Sequence, residues 1–329
     1  MQQLTPFEYI LIDIANCYGL DKYSWNDRIA WVKDNEANLE ELAIDADDPY
    51  LYLKAIRAKY DAEMGIATGY MIGLDATQSG LQIMACMSGC RTTAKNTNLI
   101  NTGEREDFYI KVTDTMNILS LGGYTREDIK PPVMTVFYGS IAEPIKVFGE
   151  DTPELAAFYA TLEQECPGPM EMMEDIKKCW NSNALVHSWV LPDGHTAYVP
   201  VKVSVSKKIE VAELNKATFT YVTEINEPSD YNIPLIANVV HSLDAYVVRE
   251  MVRMAHAQGF EMVTIHDAYF ASPNHIQKVR ENYVVILADI ASKDILGDIM
   301  GQLLGEPVKY TKLSNNLAKE ILQSEYALS

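Results

Sequence analysis

Met71-Ile72-Gly73-Leu74-Asp75 is a short apolar run closed by a carboxylate, and its reading decides the fold. Such a run predicts a buried strand with Asp75 at its end. Far along the chain, Phe260 to Ile265 predicts a second strand, His266-Asp267 its end, and Ala268 to Ala271 a returning strand. Carboxylates at strand ends stand on the rim of a sheet, where Asp75 and Asp267 can converge without crossing the core.

Working outward, Leu81 to Met87 predicts a helix, and so does Phe108 to Leu119, with Ile110, Val112 and Met116 on its apolar side. Residues 1–65 carry helical spacing at Phe7, Ile10, Leu11 and Ile14, again from Ile29 to Val32, and again from Tyr52 to Tyr60. Lys130-Pro131-Pro132-Val133 interrupts the pattern. Proline is tolerated in a first helical turn, so a helix is expected from near Pro131 through Tyr138. Residues 141–170, with Cys166-Pro167-Gly168-Pro169, read as an irregular connection flanking one short helix. Tyr198 to Val203 and Ala217 to Val222 are rich in β-branched and aromatic residues and predict strands or a long hairpin, ending in the loop Asn226 to Asp230. Val240, Leu243, Val247, Met251 and Met254 restore helical spacing up to Gly259, and Ser272-Pro273 opens a further helix.

The 329 residues suggest about two domains. With 48% hydrophobic and 22% charged residues, the composition argues against a disordered or fibrous chain. The net charge of −19 repels phosphates at long range, so nucleic acid would need local cations or a more basic partner. Five scattered cysteines make no disulfide framework. Cys86 and Cys90, a turn apart if helical, lack a second pair at zinc-ligand spacing and are expected reduced and buried. The N-terminal residues resemble neither a signal nor a transit peptide, and no apolar run approaches the ~20 residues of a membrane span. A cytoplasmic chain is expected.

Two converging carboxylates suit a pair of Mg²⁺ ions, which take a few carboxylates plus phosphate oxygens of a substrate. Between them in sequence, Lys130 stands at the entrance of the predicted helix and Tyr138 two turns on. A lysine near a helix N-terminus suits a triphosphate through its charge and the free N–H groups.

Three stretches resemble motifs of the single-subunit RNA polymerases of bacteriophages and mitochondria. GLDATQSGLQ (73–82) is similar to that family's first palm motif, and TREDIKPPVMTVFYGS (125–140) to its fingers helix. NVVHSLDAYVVRE (238–250) with VTIHDAYF (263–270) is similar to its His-Ser helix and the His-Asp turn of its last palm motif. Weaker similarity covers IANCYGLDKYSWNDRIAWVKDN, HSWVLPDG and the tail ILQSEYALS, in the family's order.

The resemblance implies an α+β, mainly helical fold: a right-hand polymerase palm with a small antiparallel sheet, and fingers, the thumb being absent. It implies a helical segment at 1–65, palm at 66–95, fingers at 96–195, a β-hairpin at 196–236 in the place of the promoter-reading loop, and palm with a C-terminal foot at 237–329. Asp75 and Asp267 would hold two Mg²⁺ ions, and Lys130 would contact the triphosphate and protonate the leaving pyrophosphate. Lys22 and Arg126 would hold phosphates, Tyr138 would guard the ribose and base pocket, and His241 would meet the 2′-hydroxyl of the nucleotide.

Related DNA polymerases carry a bulky Glu five residues after the first Asp. Gly80 stands there in this chain and favours ribonucleotides. Three features depart from the family pattern: Pro131-Pro132 within the fingers motif, HDAYF in place of the commoner His-Asp-Ser-Phe-Gly, and only 74 residues before Asp75. The last implies one subunit of a split, heterodimeric polymerase, with a second subunit supplying the thumb and upstream contacts. DNA template, RNA product and ribonucleoside triphosphates are the implied partners, and an accessory protein that binds single-stranded DNA or melts the promoter is a further one. A non-catalytic, polymerase-derived binding subunit is the alternative reading, and a DNA polymerase-like fragment a third.

Overall fold

The computed structural model describes residues 1–120 and 122–329. The N-terminal stretch forms α1 (Pro6–Tyr18), α2 (Trp25–Asp34) and α3 (Pro49–Glu63). Thr5, Ser24 and Asp48 cap them, each side-chain oxygen accepting from a first-turn N–H that has no partner within the helix. The expected strand follows as β1 (Ile72–Asp75), then α4 (Ser79–Ser88), buried on every side, and α5 (Arg91–Asn96). A helical region continues through α6 (Phe108–Ser120), α7 (Arg126–Val136), α8 (Ala142–Phe148), α9 (Pro153–Glu165) and α10 (Pro167–Lys178).

Two hairpins come next: β2 (Val186–Val190) with β3 (Thr196–Pro200), and β4 (Lys202–Val211) with β5 (Ala217–Asn226). The long helix α11 (Ile233–Ala257) leads to β6 (Met262–Ile265) and β7 (Ala268–Ala271). The chain ends with α12 (Ile276–Ser292), α13 (Ile295–Leu304) and α14 (Leu317–Ile321). The fold is thus α+β and mainly helical with small antiparallel sheets, and no described helix is long and apolar enough to cross a membrane.

The sheet that matters most has the order β1-β7-β6, antiparallel throughout. Ile72, Leu74, Tyr269 and Ala271 are buried on its inner face, and α12 packs against β7. On the other face the Phe270 ring lies across Gly73, where an added Cβ would fall 2.3 Å from the ring. A larger residue at 73 would displace the ring.

Three expectations are corrected. The helix expected from near Pro131 begins at Arg126, because Thr125 and Asp128 form a reciprocal capping box that fixes an earlier start. Pro131 and Pro132 lie inside it, leaving the carbonyls of Glu127 and Asp128 without i+4 donors. Both residues are exposed, so water can take those acceptors. Residues 141–170 hold α8, α9 and the start of α10 in place of one short helix; Thr152 caps α9, and Pro153 and Pro167 occupy first-turn positions where no N–H is needed. Cys86 and Cys90 do not share a helix, since Gly89, at φ 69°, ends α4 between them. Cys86, Cys90, Cys166 and Cys179 are buried free thiols, and Cys17 is partly so.

The β4–β5 ribbon pairs from Lys202↔Asn226 to Val211↔Ala217. Strand alternation puts Val205, Ile209, Phe219 and Tyr221 on one face and Ser204, Ser206, Lys208 and Thr220 on the other. Ile209, Phe219 and Tyr221 are exposed.

Candidate active site

Backbone pairing brings Asp75 and Asp267 side by side. Asp75 faces Ala268 in the β1–β7 ladder, and the Ala76 N–H donates to the Asp267 carbonyl at 3.2 Å. His266 and Asp267 form the two-residue turn between β6 and β7, with His266 at φ 53°. Gln78, just beyond Asp75, also has positive φ, at 60°. Non-glycine residues adopt that region at a cost, and such strain gathers at functional sites.

Both carboxylates border an open cavity of about 280 Å³. Its cationic lining is Lys22, Arg105, Arg126 and Lys130. The Asp75 carboxyl is held above the ordinary carboxylate range, first by desolvation among its neighbours and then by the charge of Asp267. A divalent cation would relieve that repulsion, and two carboxylates beside an open, phosphate-sized cavity are the donor set Mg²⁺ accepts. Among the described residues, no three His, Cys, Asp or Glu side chains gather into a self-sufficient metal cage.

The cations differ in how far they are engaged. Lys22 Nζ donates to Asp21 at 2.5 Å. Arg126, the first residue of α7, donates through Nε to Asp107 at 3.0 Å, and its guanidinium lies 5.1 Å from the Tyr109 ring centre. Lys130, one turn further along α7, is exposed and has no carboxylate within 4 Å among the described residues.

A smaller cavity of about 110 Å³ adjoins, reaching from Gln78 and Gly80 to Tyr138 and sharing Asp267. The chain leaves α7 at Phe137, and Gly139 at φ 87° turns it so that Tyr138 faces α11. There the Tyr138 ring stacks on His241, with centroids 4.7 Å apart and planes 9° from parallel. Burial pushes the Tyr138 phenol up to about 12, so it stays a hydrogen-bond donor at neutral pH. Gln82, the last residue of the Ser-Gly-Leu-Gln stretch, is wholly buried. It donates to the carbonyls of Thr97 and Ala327 and accepts from Tyr283, which makes it a strut of the site.

All seven residues anticipated from sequence lie in this region: Lys22, Asp75, Arg126, Lys130 and Asp267 on the larger cavity, Tyr138 on the smaller, and His241 stacked on Tyr138. Three neighbours were missed. Asp244 stands close to Ser79, and its pKa is raised by desolvation and then by Asp267. Its signal was available, three residues past His241 on one helix face. Tyr109 follows Phe108 on α6, where only the apolar side was read. Arg105 precedes α6 in a loop without periodicity, and nothing in the pattern marks it.

The sequence matches the family model of DNA-dependent RNA polymerase over residues 4–143. It is 20% identical to a DNA-directed RNA polymerase of Pseudomonas phage phiKMV, an alignment covering 84% of this chain and 42% of that protein. With T7 RNA polymerase of Escherichia phage T7 it shares 23% identity, over 98% of this chain and 48% of the phage enzyme. A probable DNA-directed RNA polymerase of Neurospora crassa is 32% identical over 108 residues, 30% of this chain and 12% of the fungal protein.

Over these stretches the chain is similar to DNA-directed RNA polymerases.

The chain spans about half the length of the phage enzymes it matches. The family match takes in Lys22, Asp75, Arg126, Lys130 and Tyr138; His241 and Asp267 lie beyond it.

Proposed function

We propose that the chain is the catalytic part of a DNA-directed RNA polymerase, adding ribonucleotides to an RNA 3′ end on a DNA template. The observation that carries this reading is the pairing of β1 with β7, which sets Asp75 beside Asp267 on the edge of a cavity lined with cations. In this reading the β1-β7-β6 sheet with α4 and α12 is the palm, and α6 through α10 belong to the fingers.

Asp75 and Asp267 would hold two Mg²⁺ ions. The chemistry supplied by Mg²⁺ bound there is activation of the 3′-hydroxyl and neutralisation of charge as the α-phosphorus is attacked in line. Lys130 binds the triphosphate and gives a proton to the departing pyrophosphate. Arg126 and Lys22 hold phosphates through the N–H groups that their ion pairs with Asp107 and Asp21 leave free. Tyr138 and His241 form one wall of the ribose pocket; the space expected to stand open beside Gly80 is taken by the Tyr138 hydroxyl, which is the group placed to meet a 2′-hydroxyl.

A second, more basic polypeptide supplies the remaining grip on template and product, since nucleic-acid affinity rests on cations and this chain carries −19. Exposed Ile44 and Tyr50 on the N-terminal helical segment are candidate contacts for it.

The deciding experiment is RNA synthesis on a primed DNA template by the chain together with the polypeptides that co-purify with it. Asp267→Ala should lower nucleotide addition at least ~10³-fold. The melting temperature should move by no more than about 2 °C, because a solvent-facing turn carboxylate adds little to a core. Synthesis that survives this substitution would overturn the reading.

A further inference from the structure

We propose that Arg105 is a phosphate-binding residue of this site, taking the β- and γ-phosphates of an incoming nucleoside triphosphate; the assignment rests on the polymerase reading above.

Arg105 borders the same cavity as Asp75 and Asp267. Its one hydrogen bond among the described residues runs from Nε to Ser329 Oγ at 3.1 Å, and no carboxylate lies within 4 Å of it. The two terminal nitrogens of its guanidinium therefore have no acceptor among the described residues, and neither is sealed from solvent.

Other arginines behave differently. Arg126 is ion-paired with Asp107, and Arg280 with Glu325, donating also to the Tyr9 hydroxyl. Arg28 donates to the carbonyls of Tyr23 and Asp21 and to Asn16. Arg105 keeps half of its fork for something absent from the fold.

The surroundings make that reserve costly. Desolvation lowers the Arg105 pKa from its ordinary value. The nearest compensating charges, Asp21 and Asp107, are already ion-paired with Lys22 and Arg126. A guanidinium in this condition is completed by an anion with two oxygens at its own spacing, as a phosphate presents. The α-phosphate has to sit at the two carboxylates where chemistry occurs; Arg105, held to Ser329, which pairs with Asp75 through the backbone, lines the same cavity and takes the phosphates that follow. A nucleoside monophosphate lacks those phosphates.

The test is direct binding, by calorimetry in Mg²⁺, of a ribonucleoside triphosphate and its monophosphate to the full chain with its co-purifying polypeptides. Arg105→Gln keeps the aliphatic packing and removes the charge; Arg105→Lys keeps the charge without the fork. Arg91→Gln, at an exposed ion pair with Glu320, serves as control. Arg105→Gln should weaken triphosphate binding about 10–100-fold, leave monophosphate binding unchanged, and be partly rescued in Arg105→Lys. Equal binding by wild type and Arg105→Gln overturns the assignment and leaves the polymerase reading standing. Equal loss of both nucleotides makes Arg105 a structural residue and also overturns it. Failure of the wild type to bind triphosphate sinks both.

Discussion

Tyr138 Oη fills the space in which a side chain at position 80 would begin: a Cβ added to Gly80 would stand 2.2 Å from it. The phenol is therefore fixed between α4 and His241, with its hydroxyl beside the adjoining cavity. A hydroxyl placed to bond a ribose contributes discrimination, because the deoxy substrate leaves it unpaired. Tyr138→Phe should preserve polymerisation and lower the ribonucleotide-to-deoxyribonucleotide incorporation ratio by ~10-fold. An unchanged ratio would make Tyr138 a packing residue.

Asp13 on α1 is buried and accepts from the Tyr70 hydroxyl, with Lys54 the nearby cation. Burial pushes its carboxyl up to about 6 from the ordinary 3.8. Between those values the folded state binds more protons than the unfolded one, so stability falls as pH rises from about 4 to 6. The full cost at neutral pH is at most about 3 kcal/mol. Asp13→Asn keeps an acceptor for Tyr70 without the charge. It should raise neutral-pH stability and flatten the profile over that window in denaturant titrations. A variant as pH-sensitive as the wild type would place the titration elsewhere.

Purified alone, the chain should extend a primed template poorly, and the little synthesis it shows should vanish between about 50 and 200 mM salt. The 46 Asp and Glu outnumber the 27 Lys and Arg, so the surface as a whole repels the phosphates that the cavity cations attract. Processive, salt-resistant extension by the lone chain would remove the need for a second polypeptide.

The β4–β5 ribbon makes its contacts chiefly within itself. Replacing residues 205–223 with a tight turn should shift the melting temperature by less than about 2 °C, since mostly exposed side chains are removed. A larger fall would show that its apolar face supports the body.

The rim of the sheet was legible because β1 and β7 are short apolar runs with polar ends, and a strand needs little more to declare itself. The start of α7 was misread because the prolines were given more weight than Thr125 and Asp128, although the capping pair carried the true boundary. The helices of 142–178 were obscured by prolines that open helices as readily as they break them. Arg105 could not be found: a loop residue owes its place to elements distant in sequence, and no periodicity records that.

The middle strand of the β1-β7-β6 sheet is the last of the three to be made. At roughly 5–20 residues per second, a ribosome finishes β7 about 10–40 s after β1, and until then β1 has neither of its hydrogen-bonding edges paired. Leu74 and Ile72 wait with it, apolar and unsheltered. Nascent chains truncated before residue 268 should consequently bind chaperones and aggregate, while chains that extend past α12, which covers β7, should resist protease. The two carboxylates come into existence as a pair only at that moment, so translation itself times the birth of the site.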